Sequence, residues 1–212
     1  MARLEVKNLC FKRYGREIIN NFSFIFESGK IYVINGSSGV GKTTLLNLLA
    51  MRCRPTSGDI FLNSDNFSTL SRQEVKEYRC RKVAYIAQDF DLIPEITIEE
   101  NCALSLLIQG VKRKEAIKHS EKVLRKWLNE EVIGGGNINK ISGGQKQRLS
   151  IARAFSFSSE FIIGDEPSSN IDNKNCIKLV KELIDKRNNG TCVILSSHDQ
   201  RLLNIADELI SL

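Results

Sequence analysis

Apolar and polar positions change rhythm several times along the chain. Residues 4–9 alternate as a half-buried strand does, and residues 22–26 repeat the pattern. After the turn Glu27-Ser28-Gly29-Lys30, residues 31–34 form a short continuous apolar run, as expected of a parallel strand buried on both faces. A glycine-rich segment follows directly, and residues 44–50 continue as a helix. Residues 83–87 predict a second core strand. From about residue 97 to 128 the period is helical, first over 98–108 and then over 114–128, until Gly134-Gly135-Gly136-Asn137 interrupts it. Beyond the break the order is helix (145–154), strand (160–163), helix (174–186), strand (191–195), helix (200–206). Such alternation predicts an α/β core with a mostly parallel sheet. The chain is expected to form a single domain whose core, residues 1–88 and 142–212, is interrupted by a helical insertion over 89–141.

Composition narrows this only slightly. At 212 residues the chain is long enough for one sizeable core, and 42% hydrophobic with 26% charged residues is ordinary for a globular protein. The net charge of +6 admits an anionic partner, but Lys and Arg are dispersed. The densest run, Lys112-Arg113-Lys114, reads as solvated surface, so no nucleic-acid partner is expected. No apolar stretch is long enough to cross a bilayer, and the first residues lack the apolar run of a signal peptide. A cytoplasmic location is therefore expected, with membrane association only through a partner. The six cysteines show no Cys-x-x-Cys spacing, so buried reduced thiols are expected and zinc or disulfides are not.

The glycine-rich segment Gly36-Ser37-Ser38-Gly39-Val40-Gly41-Lys42-Thr43 fits G-x-x-x-x-G-K-[ST] between a strand and a helix. Its glycines let backbone N–H groups face phosphates, and the helix running on through Thr44 adds the positive end of its dipole. Lys42 can reach the β- and γ-phosphates of ATP, and the Thr43 hydroxyl can ligate Mg²⁺. Residues 161–166 form an apolar strand ending in Asp165 and Glu166. Alone, such a pair is more often a solvated loop. Beside a phosphate loop, Asp165 reads as the metal-coordinating acid and Glu166 as the general base that polarises the attacking water.

Ser142-Gly143-Gly144-Gln145, within residues 141–148, resembles the signature motif of ATP-binding cassette proteins, and the rest of that family's pattern follows in order. The resemblance covers essentially the whole chain. It implies a phosphate-loop ATPase fold with an N-terminal antiparallel β subdomain and an inserted helical subdomain. It also implies that Tyr14, or Phe11 in its place, stacks on adenine. Gln88 matches the glutamine that contacts Mg²⁺ and senses the membrane partner. Ser169-Asn170-Ile171-Asp172 matches the loop that crosses to the opposite subunit, and His198 matches the histidine that contacts the γ-phosphate. The other histidine, His119, is assigned no role. Ile141, Ser168 and Gly164 depart from the usual residues, and the segment 134–140 is atypical; only partner contacts are affected.

By this resemblance one chain holds half of each active site. The signature of a second ATPase subunit, in a homodimer as the simplest case or in a heterodimer with a related subunit, closes over ATP held by the phosphate loop of the first. Work is delivered to a separate transmembrane permease, which places the chain on the inner face of the membrane. Residues 88–94, Thr97, Glu100-Asn101 and Asn170 resemble the lipoprotein-release, macrolide-export and peptide-export group. That implies export of a peptide, lipid or drug-like substrate. The alternative is a cassette ATPase that regulates cell-wall hydrolysis or scaffolds iron–sulfur assembly without transport.

Overall fold

The computed structural model describes residues 2–134 and 136–212. Gly135, part of the expected glycine break, lies outside the described residues, as does Met1. The chain folds as an antiparallel sheet and a parallel sheet with helices packed between and around them. The antiparallel sheet contains β1 (Arg3–Arg13), β2 (Arg16–Glu27), β4 (Ser57–Leu62) and β5 (Asp65–Asn66), in the order β2-β1-β4-β5. The parallel sheet contains β3 (Ile31–Asn35), β6 (Val83–Ile86), β7 (Phe161–Asp165), β8 (Cys192–Ser196) and β9 (Glu208–Ser211), in the order β6-β7-β8-β3-β9.

Alternation along the parallel strands explains their continuous apolar character. Side chains point to opposite faces in turn. Ile31, Val33, Ile162, Val193 and Leu195 join one core cluster, and Tyr32, Ile34, Phe161, Ile163 and Ile194 join another. The first cluster packs against α6 (Gly143–Phe155) and α7 (Asn173–Asn188), and against α3 (Ile98–Ile108) and α4 (Arg113–Trp127) of the insertion. The second holds α1 (Lys42–Leu49), whose Leu45, Leu46, Leu48 and Leu49 lie between the two sheets against Leu4, Phe26 and Leu62. Both faces of the sheet are therefore covered, as a parallel sheet requires.

Between residues 89 and 141 lie α3, α4, a short α5 (Glu130–Gly134) and a 3-10 turn (Ile138–Lys140). Helix α2 (Arg72–Lys82), strands β4, β5 and β9, and the 3-10 turn carry no strong apolar period and were not anticipated. The last helix, α8 (Gln200–Leu203), stops three residues short of the expected end at Ala206, and the chain turns there to enter β9. Among the described residues no helix is long and apolar enough to cross a membrane. Of the six cysteines, Cys102, Cys176 and Cys192 are buried, while Cys10, Cys53 and Cys80 are half-buried.

This topology gathers the chemistry. Strands β6, β7, β8 and β3 lie side by side and parallel, so their carboxyl ends open on one edge. The register aligns Asp165 with Ser196, and Ser196 with Ile34, just before the glycine-rich loop. Gln88 leaves the end of β6 beside them.

Candidate functional site

The loop from Gly36 to Gly41 joins β3 to α1. Gly39 and Gly41 have φ of 80° and 117°, a region that other residues seldom adopt. At Gly41 space also matters, since a Cβ would lie 3.1 Å from the Ile18 carbonyl oxygen. Gly41 caps α1, whose first turn (Lys42, Thr43, Thr44) carries no acidic residue. The exposed amides therefore meet no competing carboxylate, and the helix end suits an anion.

Lys42 is nearly buried, and its ammonium donates to the carbonyls of Gly36 (2.6 Å) and Ser37 (3.1 Å). It also lies 3.1 Å from His198 Nε2. An ammonium only donates, so Nε2 accepts and the imidazole proton sits on Nδ1. Across the cleft, Asp165 is 2% exposed and accepts from the Ser196 hydroxyl at 2.6 Å. The Glu166 N–H donates to both the carbonyl and the hydroxyl oxygen of Ser196, at 3.1 Å each. Glu166 itself has φ of 45°, a strained conformation for a residue with a side chain. Its carboxylate stands 3.8 Å from His198 Nε2.

These groups line one cleft of about 540 Å³, which brings together Gly39, Gly41, Lys42, Thr43, Thr44, Gln88, Asp165, Glu166 and His198. Ser38 and Ser169 line it too, as do Arg13 and Ile18 from the antiparallel sheet, neither of which was anticipated. The cleft sets a buried carboxylate opposite a helix N-terminus and a basic wall.

The model for ABC transporters matches residues 19–169. The chain belongs to the ABC transporter family. It carries that family's ATPase cassette. It is 34% identical over 209 residues to the lipoprotein-releasing system ATP-binding protein LolD 1 of Chlorobium chlorochromatii, spanning 97% of this chain and 85% of that one. It is 29% identical to the macrolide export ATP-binding/permease protein MacB of Pasteurella multocida, where the match covers 99% of this chain but 33% of MacB. Among solved structures, the ATP-binding cassette MJ0796, a dimer described as a post-hydrolysis state bound to ADP and Pi, matches with a TM-score of 0.92. The two chains are 28% identical, and the match covers 99% of this chain and 94% of that one.

Other parts of the cassette lie apart from the cleft. Ser142, Gly143, Gly144 and Gln145 do not line it. They open α6 as a capping box: the Ser142 hydroxyl accepts from the Gln145 N–H at 3.3 Å, and the Gln145 side chain accepts from the Ser142 N–H at 2.7 Å. Ser142 and Gly143 are exposed. Gly144 packs against the crossing loop so tightly that a Cβ would lie 2.6 Å from the Asn170 carbonyl oxygen. On the same helix, buried Gln147 donates to the Pro167 carbonyl at 3.1 Å. Gly164, unusual in this family position, is also explained: a Cβ there would press on Leu195 at 2.9 Å.

Tyr14 sits 95% exposed in the β1–β2 turn, where Tyr14 and Gly15 both take positive φ. It does not line the cleft, although its neighbour Arg13 does. Phe11 is half-buried against the core and does not line the cleft either. Ser196 was read only as part of the segment carrying His198. Nothing local distinguishes it; its role comes from being in register with Asp165.

Proposed function

We propose that this cassette binds ATP with Mg²⁺ at the interface of two copies and hydrolyses it to drive a separate membrane permease. The backbone amides of Ser38, Gly39 and Gly41, which line the cleft, cradle the phosphates. The Gly36 N–H is spent on the Asn35 side chain at 2.8 Å, and neither Gly36 nor Ser37 lines the cleft. Lys42 neutralises the β- and γ-phosphates, and Thr43 and Thr44 open the helix behind them. The residues present fit the metal as well. Asp165 is buried at the cleft and Ser196 is its one hydrogen-bond partner among the described contacts, so the carboxylate retains acceptor capacity for a cation. Thr43 and Gln88 line the same cleft and complete an all-oxygen set of the kind Mg²⁺ prefers. Mg²⁺, when bound, offsets the charge on the phosphate oxygens.

Glu166 holds the attacking water by its proton and accepts that proton as the γ-phosphate leaves. His198, with Nε2 held by Lys42, contacts the γ-phosphate. Tyr14, from its exposed turn, stacks on the base. The observation that carries the two-copy reading is the separation of parts: Ser142 and Gly143 stand exposed at a helix N-terminus, and the signature residues do not line the cleft that holds Lys42, Asp165, Glu166 and His198. A second copy supplies Ser142, Gly143 and Gly144 to the γ-phosphate, with Gln145 holding the helix cap. The dimeric state of MJ0796 supports this arrangement. The names of LolD 1 and MacB support export of a lipid, peptide or drug-like substrate. Such a cassette works at the inner face of the membrane, docked on its permease.

Mixing two inactive variants tests the shared site. Lys42→Ala breaks the phosphate loop and Ser142→Arg breaks the signature, each in its own chain. A mixed dimer then retains one intact pair of halves, so ATPase activity should return on mixing. No recovery, with mixed dimers present, would show that each chain works alone. Separately, Glu166→Gln should abolish turnover, retain ATP binding and shift the protein toward the dimer in light scattering; wild-type turnover would remove Glu166 as the base.

A further inference from the structure

Cations dispersed in the sequence are gathered by the fold along one face of α7. Lys174, Ile177, Lys178 and Lys181 stand three or four positions apart, the spacing that places side chains on one side of a helix. Ile177 is 44% exposed among them. Like charges at this spacing repel, and among the described residues none of the three ammonium groups forms an ion pair. Two carboxylates border the face, and both meet other cations. Glu182 pairs with Lys126 at 3.1 Å, and Asp172, which caps α7, lies 3.8 Å from Arg148.

Lys178 ties this face to the end of α4. Its ammonium lies 4.8 Å from the centroid of the Trp127 ring and donates to the Lys126 carbonyl. Trp127, 3% exposed, is the only tryptophan in the chain, and its Nε1–H finds no acceptor among the described residues. The buried Nε of Arg148 is also without one. Burial lowers the Lys178 pKa, and Lys126, Lys174 and Arg148 lower it further, against the pull of Glu182. Lys126, Arg148, Lys174, Lys178 and Lys181 thus share the face with only Asp172 and Glu182.

Such an excess of positive charge favours an anionic partner. Along α7 the cations recur about every 5–6 Å, one helical turn. Alternate residues of an extended chain are about 6.7 Å apart, so a run of acidic residues meets several lysines at once. A small anion meets one. Ile177 suits an apolar side chain, which a phosphate backbone lacks, and one isoleucine is too little to seat a membrane surface. We propose that this face of α7, with the end of α4, binds an acidic segment of a partner protein. Its carboxylates lie on Lys174, Lys178 and Lys181, and an apolar side chain rests on Ile177. The surface stands apart from the phosphate cleft, which none of these residues lines.

The probe is a short synthetic peptide of glutamates around one central leucine, titrated into the full chain by calorimetry and by fluorescence. Displacing Lys178 from the Trp127 ring should change the emission of the single tryptophan saturably. Affinity should fall at least tenfold between about 50 and about 200 mM salt. Saturating Mg²⁺–ADP should leave binding within twofold; displacement by the nucleotide would put the peptide in the phosphate cleft and overturn the proposal. Lys174→Glu, Lys178→Glu and Lys181→Glu together should weaken binding at least tenfold. If that variant does not fold, Lys174→Gln with Lys181→Gln leaves the Lys178 contacts in place and should weaken binding at least threefold. Unchanged affinity in the folded variant would overturn the proposal, as would a calorimetric titration that shows no binding. Phosphatidylglycerol vesicles and a DNA duplex serve as competitors. Tighter binding of either at equal charge would assign the face to a membrane or a nucleic acid and overturn the peptide reading.

Discussion

Nζ of Lys42 lies 3.1 Å from Nε2 of His198, although 156 positions separate the two residues. The contact follows from strand order. Strands β3 and β8 are parallel neighbours, so the loop after each leaves the sheet at the same edge. Three oriented acceptors, the carbonyls of Gly36 and Ser37 and the imidazole of His198, hold the ammonium over the loop. All three of its N–H donors are engaged there, so it must release at least one of these partners to donate to a phosphate.

Removing that ammonium should weaken nucleotide binding itself. Lys42→Ala takes away the one positive charge held in the loop and leaves Nε2 of His198 without its donor. ATP affinity measured by calorimetry should fall at least tenfold, which corresponds to about 1.4 kcal/mol. Unchanged affinity would contradict the role given to the phosphate loop.

Ser196 should prove as necessary to Asp165 as any residue in the recognised motifs. Its hydroxyl is the hydrogen-bond donor to a carboxylate that is 2% exposed. Ser196→Ala should cost about 1.5–3 kcal/mol of stability, the range for a hydrogen bond to a buried charged group. The Glu166 N–H keeps its second acceptor, the Ser196 carbonyl, so the turn should persist. The freed carboxylate should then need more Mg²⁺ for half-maximal ATPase. A loss of melting temperature with no change in Mg²⁺ dependence would show that Ser196 only supports the fold.

The parts legible in the sequence were those whose residue types are dictated by local chemistry. Residues 31–34, 161–163 and 191–195 declare buried parallel strands because both faces are covered, and Gly39, Gly41 and Lys42 declare a phosphate loop because backbone and charge demand them. Helix α2 escaped notice because it buries no residue and so shows no apolar period. Its capping box, Ser71 with Glu74, was the available signal. Strand β9 escaped because only Ile210 is buried in it. Arg13, Ile18 and Ser196 could not be read at all, since their roles depend on which strands lie beside which.

The two signature glycines should differ sharply under the same substitution. A Cβ on Gly144 would lie 2.6 Å from the Asn170 carbonyl oxygen, a backbone atom that can yield only if its loop moves. Gly144→Ala should therefore push the crossing loop away and destabilise the fold by about 1–3 kcal/mol. On Gly143 the nearest atom is the Phe90 ring at 3.9 Å, an ordinary contact. There, alanine should leave stability unchanged or raise it by up to about 1 kcal/mol, since glycine is a poor helix former. Urea unfolding of the two variants side by side checks the difference, and equal effects would contradict the close packing of α6 on the crossing loop.

Asp199, the residue after His198, should give the site a stability that depends on acidity. Its carboxylate caps α8 and accepts from the Arg201 guanidinium at 2.8 and 2.6 Å, and from the buried Cys176 thiol at 3.4 Å. The Arg201 guanidinium holds the Asp199 carboxyl well below the usual carboxylate range. Burial pushes the Cys176 thiol up to about 11, so it stays protonated and donates. A carboxylate depressed in this way stabilises the fold at pH above its unfolded value of about 3.9. The stabilisation is lost as pH falls through that value toward the folded one. The Arg201 side chain is 40% exposed, so Asp199→Asn should cost only about 1 kcal/mol near neutrality. Compared with wild type by urea unfolding at pH 7, 5 and 3, the difference should be similar at the first two and smaller at the third. A difference that does not shrink by pH 3 would mean that the cap, and not the charge, holds the turn that carries His198.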